Sequence, residues 1–130
     1  MTAVVAETGP DVGVPWHYGD PLREQRMLVE GSAVVDLSNR GVVAVTGPDR
    51  LTWLHSLTTQ HLTELKAWQG TEFLVLSPHG HVEHHAMVTE DTATIWLDLE
   101  PGSTLLDYLE RMRFMMRVEP ADVTEDWAVL

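Results

Sequence analysis

The chain has 130 residues, with 8 Lys and Arg against 20 Asp and Glu, and it contains no cysteine. This length fits one modest domain, and the missing cysteines exclude disulfides, thiolate metal sites and a thiol nucleophile. A net charge of −12 repels phosphate backbones, so we expect no nucleic-acid partner. No apolar run approaches the ~20 residues of a membrane-spanning helix, so we expect no membrane partner either.

The first ten residues, MTAVVAETGP, lack the basic segment and the apolar block of a secretory signal, which predicts a cytoplasmic location. Glycines and prolines recur throughout residues 1–21 and predict an irregular lead-in. Residues 22–130 then form the domain. It begins with a short predicted helix over Leu22–Gly31, and Gly31 suits the C-terminal end of a helix.

Two β-rich runs follow, Ala33–Leu37 and Val42–Val45. Between them lie Asn39 and Gly41, which tolerate the positive φ of a tight reversal, so the sequence predicts a hairpin.

Thr46-Gly47-Pro48-Asp49 predicts the start of an amphipathic helix, because proline suits a first turn and aspartate suits the positive end of the helix dipole. Three strands joined by loops short enough for antiparallel neighbours are predicted next. A second helix and a further strand follow them. The predicted ranges are Glu72–Leu76, Val82–Val88 and Ala93–Leu99 for the strands, Ser103 to about Met116 for the helix, and Val118–Val123 for the last strand.

The final run, Trp127–Leu130, reads as a strand that has barely begun, which predicts that the chain is a fragment truncated at its C-terminal end. Taken together, the elements predict an α+β fold in which antiparallel strands are flanked by two main helices.

A histidine-rich stretch holds the most reactive side chains: His79, His81, His84 and His85. Residues four apart on a strand are separated by ~13 Å, so a straight strand does not converge His81, Glu83 and His85 on one metal ion. We therefore interpret this face as a polar strand surface and expect no metal site.

Strand alternation places His84 on the face of Val82, Ala86 and Val88, which is largely apolar. Two interpretations remain open: a core histidine with one satisfied hydrogen bond, or a polar group facing a ligand cavity. Asp98 closes an apolar strand, where it either caps the turn into Glu100-Pro101-Gly102 or contacts a ligand.

Catalytic signatures are missing from the sequence. It contains no phosphate-binding glycine loop, no His-Glu-x-x-His and no Gly-x-Ser-x-Gly. The residue types alone therefore assign no chemistry.

The order of segments nevertheless resembles a known family. A series typical of YgfZ-type folate-binding proteins, relatives of the glycine cleavage aminomethyltransferase (T-protein), runs through the first half of the chain. Its members here are Asp36-Leu37-Ser38, Gly41, Val45, Gly47-Pro48-Asp49, Trp53-Leu54 and Leu57-Thr58-Thr59. The similarity extends from about Pro21 to Leu130.

The resemblance implies the N-terminal part of an aminomethyltransferase-like folate-binding fold, in a protein two to three times longer. It also implies tetrahydrofolate or a derivative as the ligand, and a role in assembling or repairing iron–sulfur clusters on client proteins. A Lys-Gly-Cys-Tyr-x-Gly-Gln-Glu motif of YgfZ-type proteins lies further along those chains and does not occur here.

T-proteins have an acidic pair where this chain has His84 and His85, and an asparagine where it has Asp98. An imidazole cannot supply a permanent carboxylate, so the resemblance favours a binding protein over an enzyme. It implies His84 and Asp98 as folate contacts. The alternatives are a tetrahydrofolate-dependent aminomethyltransferase and an acidic protein-interaction module without folate.

Overall fold

The computed structural model describes residues 2–130 and divides the chain into two compact units. One unit contains the residues up to Asn39 together with Val129 and Leu130, and the other is Arg40–Ala128. No helix within residues 2–130 is long and apolar enough to cross a membrane.

The first unit contains two short antiparallel strands, β1 (Val4–Val5) and β2 (Pro15–His17), and one helix, α1 (Pro21–Val29). The segment predicted to be irregular therefore includes a small sheet. The helix was predicted, and its start is fixed by reciprocal capping: the Asp20 carboxylate accepts from the Arg23 amide at 3.0 Å, and the Glu24 carboxylate accepts from the Asp20 amide at 3.0 Å.

The second unit is a five-stranded antiparallel sheet with two helices, α2 (Arg50–Leu57) and α3 (Leu105–Arg111), in its core. Its strand order is β4-β5-β6-β3-β7. The strands are β3 (Gly41–Thr46), β4 (Gly70–Leu76), β5 (Val82–Glu90), β6 (Thr94–Leu99) and β7 (Glu119–Asp122).

The predicted hairpin between Ala33–Leu37 and Val42–Val45 is wrong. Residues 33–37 are irregular, and the Leu37 amide donates to the Val129 carbonyl at 2.9 Å. The strand at Val42–Val45 does exist, but β6 and β7 occupy both of its edges. Asn39 and Gly41 favour a tight turn, but β3 pairs with β6 and β7, which are distant in sequence, rather than with residues 33–37.

One face of the sheet, which we call the helix face, carries the core. Alternate residues of β3 to β6 pack there with Trp53 and Leu54 of α2 and with Leu105 and Leu109 of α3. These four side chains are at most 2% exposed, and full burial of each apolar side chain contributes about 1.5–3 kcal/mol. The opposite face, which we call the outer face, carries the remaining residues of each strand.

Helix α3 is shorter than predicted. It ends at Arg111, because the Met112 carbonyl accepts from the Trp53 indole N–H at 2.8 Å and Phe114 adopts a positive φ of 48°. Its N-cap is Thr104 rather than Ser103, although the Ser103 hydroxyl accepts from the Leu105 amide at 3.2 Å. The final run, Trp127–Leu130, is not a strand.

The Thr-Thr-Gln segment after α2 covers the free edge of the sheet. The Thr59 amide donates to the Leu74 carbonyl and the Thr59 hydroxyl accepts from the Leu74 amide, both at 3.0 Å. The Gln60 amide group donates to the Glu72 carbonyl at 3.1 Å. The segment therefore satisfies backbone groups of β4 that an exposed edge would offer to another chain.

A buried ion pair joins the start of α2 to the end of β5. The Arg50 guanidinium binds both carboxylate oxygens of Glu90, which is 2% exposed, and it also donates to the carbonyls of Gly47 and Thr92. Such a pair is costly to break from one side, because the remaining charge would be buried without a partner.

Glycine is the one residue type that fits at position 47. Its φ is 111°, and a Cβ there would lie 2.1 Å from the Arg117 carbonyl oxygen. Gly80 also has a positive φ, of 81°, but a Cβ there would meet nothing within 4 Å.

We expect Gly47→Ala to destabilise the protein by about 3 kcal/mol or more, because left-handed strain adds to a clash with backbone that cannot move. The matched variant Gly80→Ala carries only the strain and should cost about 1–2 kcal/mol. Urea unfolding measures both. Equal losses in the two variants would contradict the close approach of Gly47 to Arg117.

Candidate functional site

The register of β4 and β5 decides which histidine faces which side of the sheet. Val75 pairs with His84, but the next residue, Leu76, pairs with Val82, so Glu83 is an extra residue that forms a β-bulge. Paired residues point to the same face. His84 therefore lies with the buried Val75 on the helix face, whereas Val82 and Leu76 are exposed on the outer face.

The predicted alternation thus holds for His84, Ala86 and Val88 and fails for Val82. The His84 ring lies against the Tyr108 ring of α3, with centroids 5.6 Å apart. Beside it opens a cleft of about 360 Å³, which Glu100–Thr104 line from the other side. Within residues 2–130, neither ring nitrogen of His84 makes a hydrogen bond, so His84 is a half-buried polar group at a cleft rather than an enclosed core histidine.

Asp98 lies on the opposite face of the sheet from His84. In β6 the buried residues are Ile95, Leu97 and Leu99, so Asp98 alternates onto the outer face. Its cross-strand partners are Val42 of β3 and Met87 of β5. The structure therefore does not bring His84 and Asp98 together.

An arginine that the sequence reasoning missed holds Asp98. The Arg40 Nε donates to Asp98 Oδ1, and the two side chains are 20% and 24% exposed. Within residues 2–130, Oδ2 of Asp98 makes no hydrogen bond, so one carboxylate oxygen stays available to a ligand. The predicted capping of the following turn by Asp98 does not form.

The outer face also carries a histidine–carboxylate pair and an aromatic pair. His85 Nε2 lies 2.8 Å from Glu72 Oε2, and Met87 between this pair and Asp98 is 43% exposed. Trp96 lies against Trp127, with ring centroids 4.6 Å apart. The face thus combines apolar surface with a few placed polar groups.

The histidine-rich stretch does not converge on a metal position. Among residues 2–130, no group of three or more His, Asp or Glu side chains is arranged to hold a metal ion. Ordinary alternation along β5 places His84 and His85 on opposite faces of the sheet, and Glu72 already engages His85.

Asp91 positions Trp96 at the far end of the outer face. The Trp96 indole N–H donates to Asp91 Oδ2 at 2.8 Å, and the amides of Ala93 and Thr94 donate to Oδ1. The hydrogen bond from Trp96, followed by those from the two amides, lowers the pKa of the Asp91 carboxyl from its usual value of 3.8.

The fold is similar to that of a solved aminomethyltransferase. The structure matches the glycine cleavage system aminomethyltransferase T from Bartonella henselae with a TM-score of 0.63 and 18% sequence identity, over 68% of this chain and 26% of that one. This likeness shows the fold. The predicted α+β class, with antiparallel strands flanked by helices as part of an aminomethyltransferase-like fold, is confirmed.

A curated protein also matches in sequence. A chloroplastic "putative transferase" from Arabidopsis thaliana is 28% identical over 98 residues, which are 73% of this chain and 23% of that protein. No protein-family model matches the chain. The chain spans about a quarter of the length of each of these two proteins.

We expect Asp91→Asn to lower stability at neutral pH and to remove one acid-sensitive contribution. Because the pKa of Asp91 is lower in the folded protein than in the unfolded chain, its contribution is fully present above about pH 5 and is lost as the pH falls below about 4. Urea unfolding midpoints of the wild type and the variant should therefore differ by a constant amount above pH 5 and converge at lower pH. A gap that stays constant down to pH 2.5 would contradict this assignment.

Proposed function

We propose that this chain supplies one wall of a tetrahydrofolate-binding site in a YgfZ-type protein that supports the assembly or repair of iron–sulfur clusters. The motif series from Asp36 to Thr59 and the similarity to an aminomethyltransferase fold support this proposal. One observation carries it: on the outer face, Asp98 is fixed through one oxygen by Arg40 and keeps the other oxygen free. A cytoplasmic location and iron–sulfur client proteins are part of the same proposal.

The chemistry of a reduced folate matches this arrangement. The pteridine ring presents an amino group beside a ring N–H, and a carboxylate oxygen is a strong acceptor for such donors. Arg40 balances the charge of Asp98, so a ligand can bind there without itself being cationic. Met87, directly opposite Asp98 on β5, offers apolar surface to the ring.

His84 is the competing location. The resemblance implied it as a folate contact together with Asp98, but one ligand on one face of the sheet cannot contact both. Its cleft holds Glu83, Glu100 and Ser103 and exposes mostly polar surface. We assign the folate to the outer face, because that face combines apolar and acceptor groups.

A tetrahydrofolate-dependent aminomethyltransferase is the second candidate function, since both proteins matched above are named as transferases. The residues at His84 and His85 favour the binding protein over the enzyme, because neither offers the permanent carboxylate of the acidic pair in T-proteins. Turnover in a glycine cleavage assay with the intact protein would favour the enzyme over the binding protein.

We expect the intact protein, as its gene encodes it, to bind tetrahydrofolate in anaerobic calorimetry. Asp98→Asn should weaken binding by about tenfold or more, because a hydrogen bond to a charged group contributes about 1.5–3 kcal/mol. His84→Ala, on the other face, should change the dissociation constant by less than about twofold.

Circular dichroism should show that both variants remain folded. Loss of binding in His84→Ala with binding retained in Asp98→Asn would move the site to the cleft. A wild-type protein that does not bind tetrahydrofolate would contradict the proposed function itself.

A further inference from the structure

His85 and Glu72 form a hydrogen-bonded pair on the outer face. His85 is paired across the strands with Leu74, and Glu72 with Met87, so all four side chains point to the same side of the sheet. The His85 ring is 29% exposed, and its Nε2 lies 2.8 Å from Glu72 Oε2.

This contact determines the tautomer of the imidazole. An ionised carboxylate can only accept hydrogen bonds, so Nε2 carries the hydrogen that it donates to Glu72. In a neutral ring, Nδ1 is then an acceptor. Within the part of the chain that the structure describes, Nδ1 of His85 makes no hydrogen bond.

Asp98, which offers the second acceptor on this face, lies close to His85. Met87 lies directly opposite Asp98, and His85 is two residues before Met87 on the same face, which makes His85 a diagonal neighbour of Asp98. Diagonal neighbours on adjacent strands are separated by roughly 7–8 Å. A bicyclic ring that lies across Met87 can therefore reach both groups.

We infer that this face selects the reduced form of the pteridine ring through the acceptor His85 Nδ1, while Asp98 Oδ2 holds the amino edge of the same ring. The inference rests on the proposed function and specifies the form of the folate. In tetrahydrofolate the ring nitrogens N5 and N8 carry hydrogens and are donors. In oxidised folic acid the same nitrogens carry lone pairs and are acceptors.

His85 Nδ1 thus accepts from a ring N–H of the reduced form and would face a lone pair of the oxidised form, whereas the amino edge held by Asp98 is the same in both forms. A site that hydrogen-bonds one ligand form discriminates against the other, because its own polar groups are left without partners. Glu72 is a positioning residue in this account: without it the imidazole can change tautomer and present a donor instead.

The test compares the dissociation constants of tetrahydrofolate and folic acid for the intact protein, measured anaerobically at pH 8. We expect the wild type to prefer tetrahydrofolate by about tenfold or more. Glu72→Ala and His85→Phe should reduce this preference to about threefold or less, chiefly by weakening the binding of tetrahydrofolate.

Two further variants separate positioning from structure. His85→Asn places an amide oxygen near the position of Nδ1 and should restore most of the preference. His81→Ala, a histidine outside the face, should leave both dissociation constants unchanged.

The outcomes distinguish this inference from the function on which it rests. A wild type that binds neither ligand contradicts the proposed function and, with it, the inference. A wild type that binds both ligands equally contradicts the inference and leaves the function standing. Glu72→Ala binding that weakens equally for both ligands would assign Glu72 a structural role only and overturn the inference.

Discussion

The pairing register of β5 controls which side chains each face of the sheet offers to a ligand. Side chains on a strand alternate with a period of two, so a shift of one residue would exchange the two faces. From His84 onward the pairing is regular: His84 lies on the helix face with Ala86, while His85 and Met87 point outward, and the bulge at Glu83 turns only Val82 outward. In this register Met87 meets Asp98, and the two acceptors of the outer face become neighbours.

The rest of the second unit holds that register in place. At one end of β5, the Arg50–Glu90 pair ties the strand to the start of α2. At the free edge, Thr59 and Gln60 bind the backbone of β4. The apolar core on the helix face makes a slip by one residue costly, because such a slip would move Ala86 and Val88 into water and bring Met87 inside. The Gly47-Pro48-Asp49 and Leu57-Thr58-Thr59 segments thus have structural roles, whichever ligand the protein binds.

Local patterns in the sequence were sufficient for most elements of the second unit. Proline and aspartate after Gly47 predicted α2, and alternation with short loops predicted the antiparallel order of β4, β5 and β6. The hairpin at Ala33–Leu37 failed because strand pairing is decided by partners distant in sequence. The apolar pattern predicted that helix α3 extends to about Met116, but the helix ends at Arg111, because the Trp53 indole N–H binds the Met112 carbonyl.

The candidate site was predictable in its residue types and not in its geometry. Alternation turned His84 inward and the resemblance selected Asp98, yet neither could show that the two lie on opposite faces. That fact depends on the register between β5 and β6, in which Met87 pairs with Asp98 and Ala86 with Leu99, and alternation within one strand does not specify register. Arg40 and Glu72 were missed for a related reason: each acts through a partner on another strand, 58 residues away for Arg40 and 13 for Glu72.

Two-dimensional amide NMR of the intact protein, titrated anaerobically with tetrahydrofolate, shows which face of the sheet the ligand occupies. With the ligand on the outer face, the largest shift changes fall on Met87, Asp98 and Arg40, while Ser103 and Thr104 at the cleft beside His84 stay unchanged. The opposite pattern, with changes at the cleft and none around Asp98, would contradict this location.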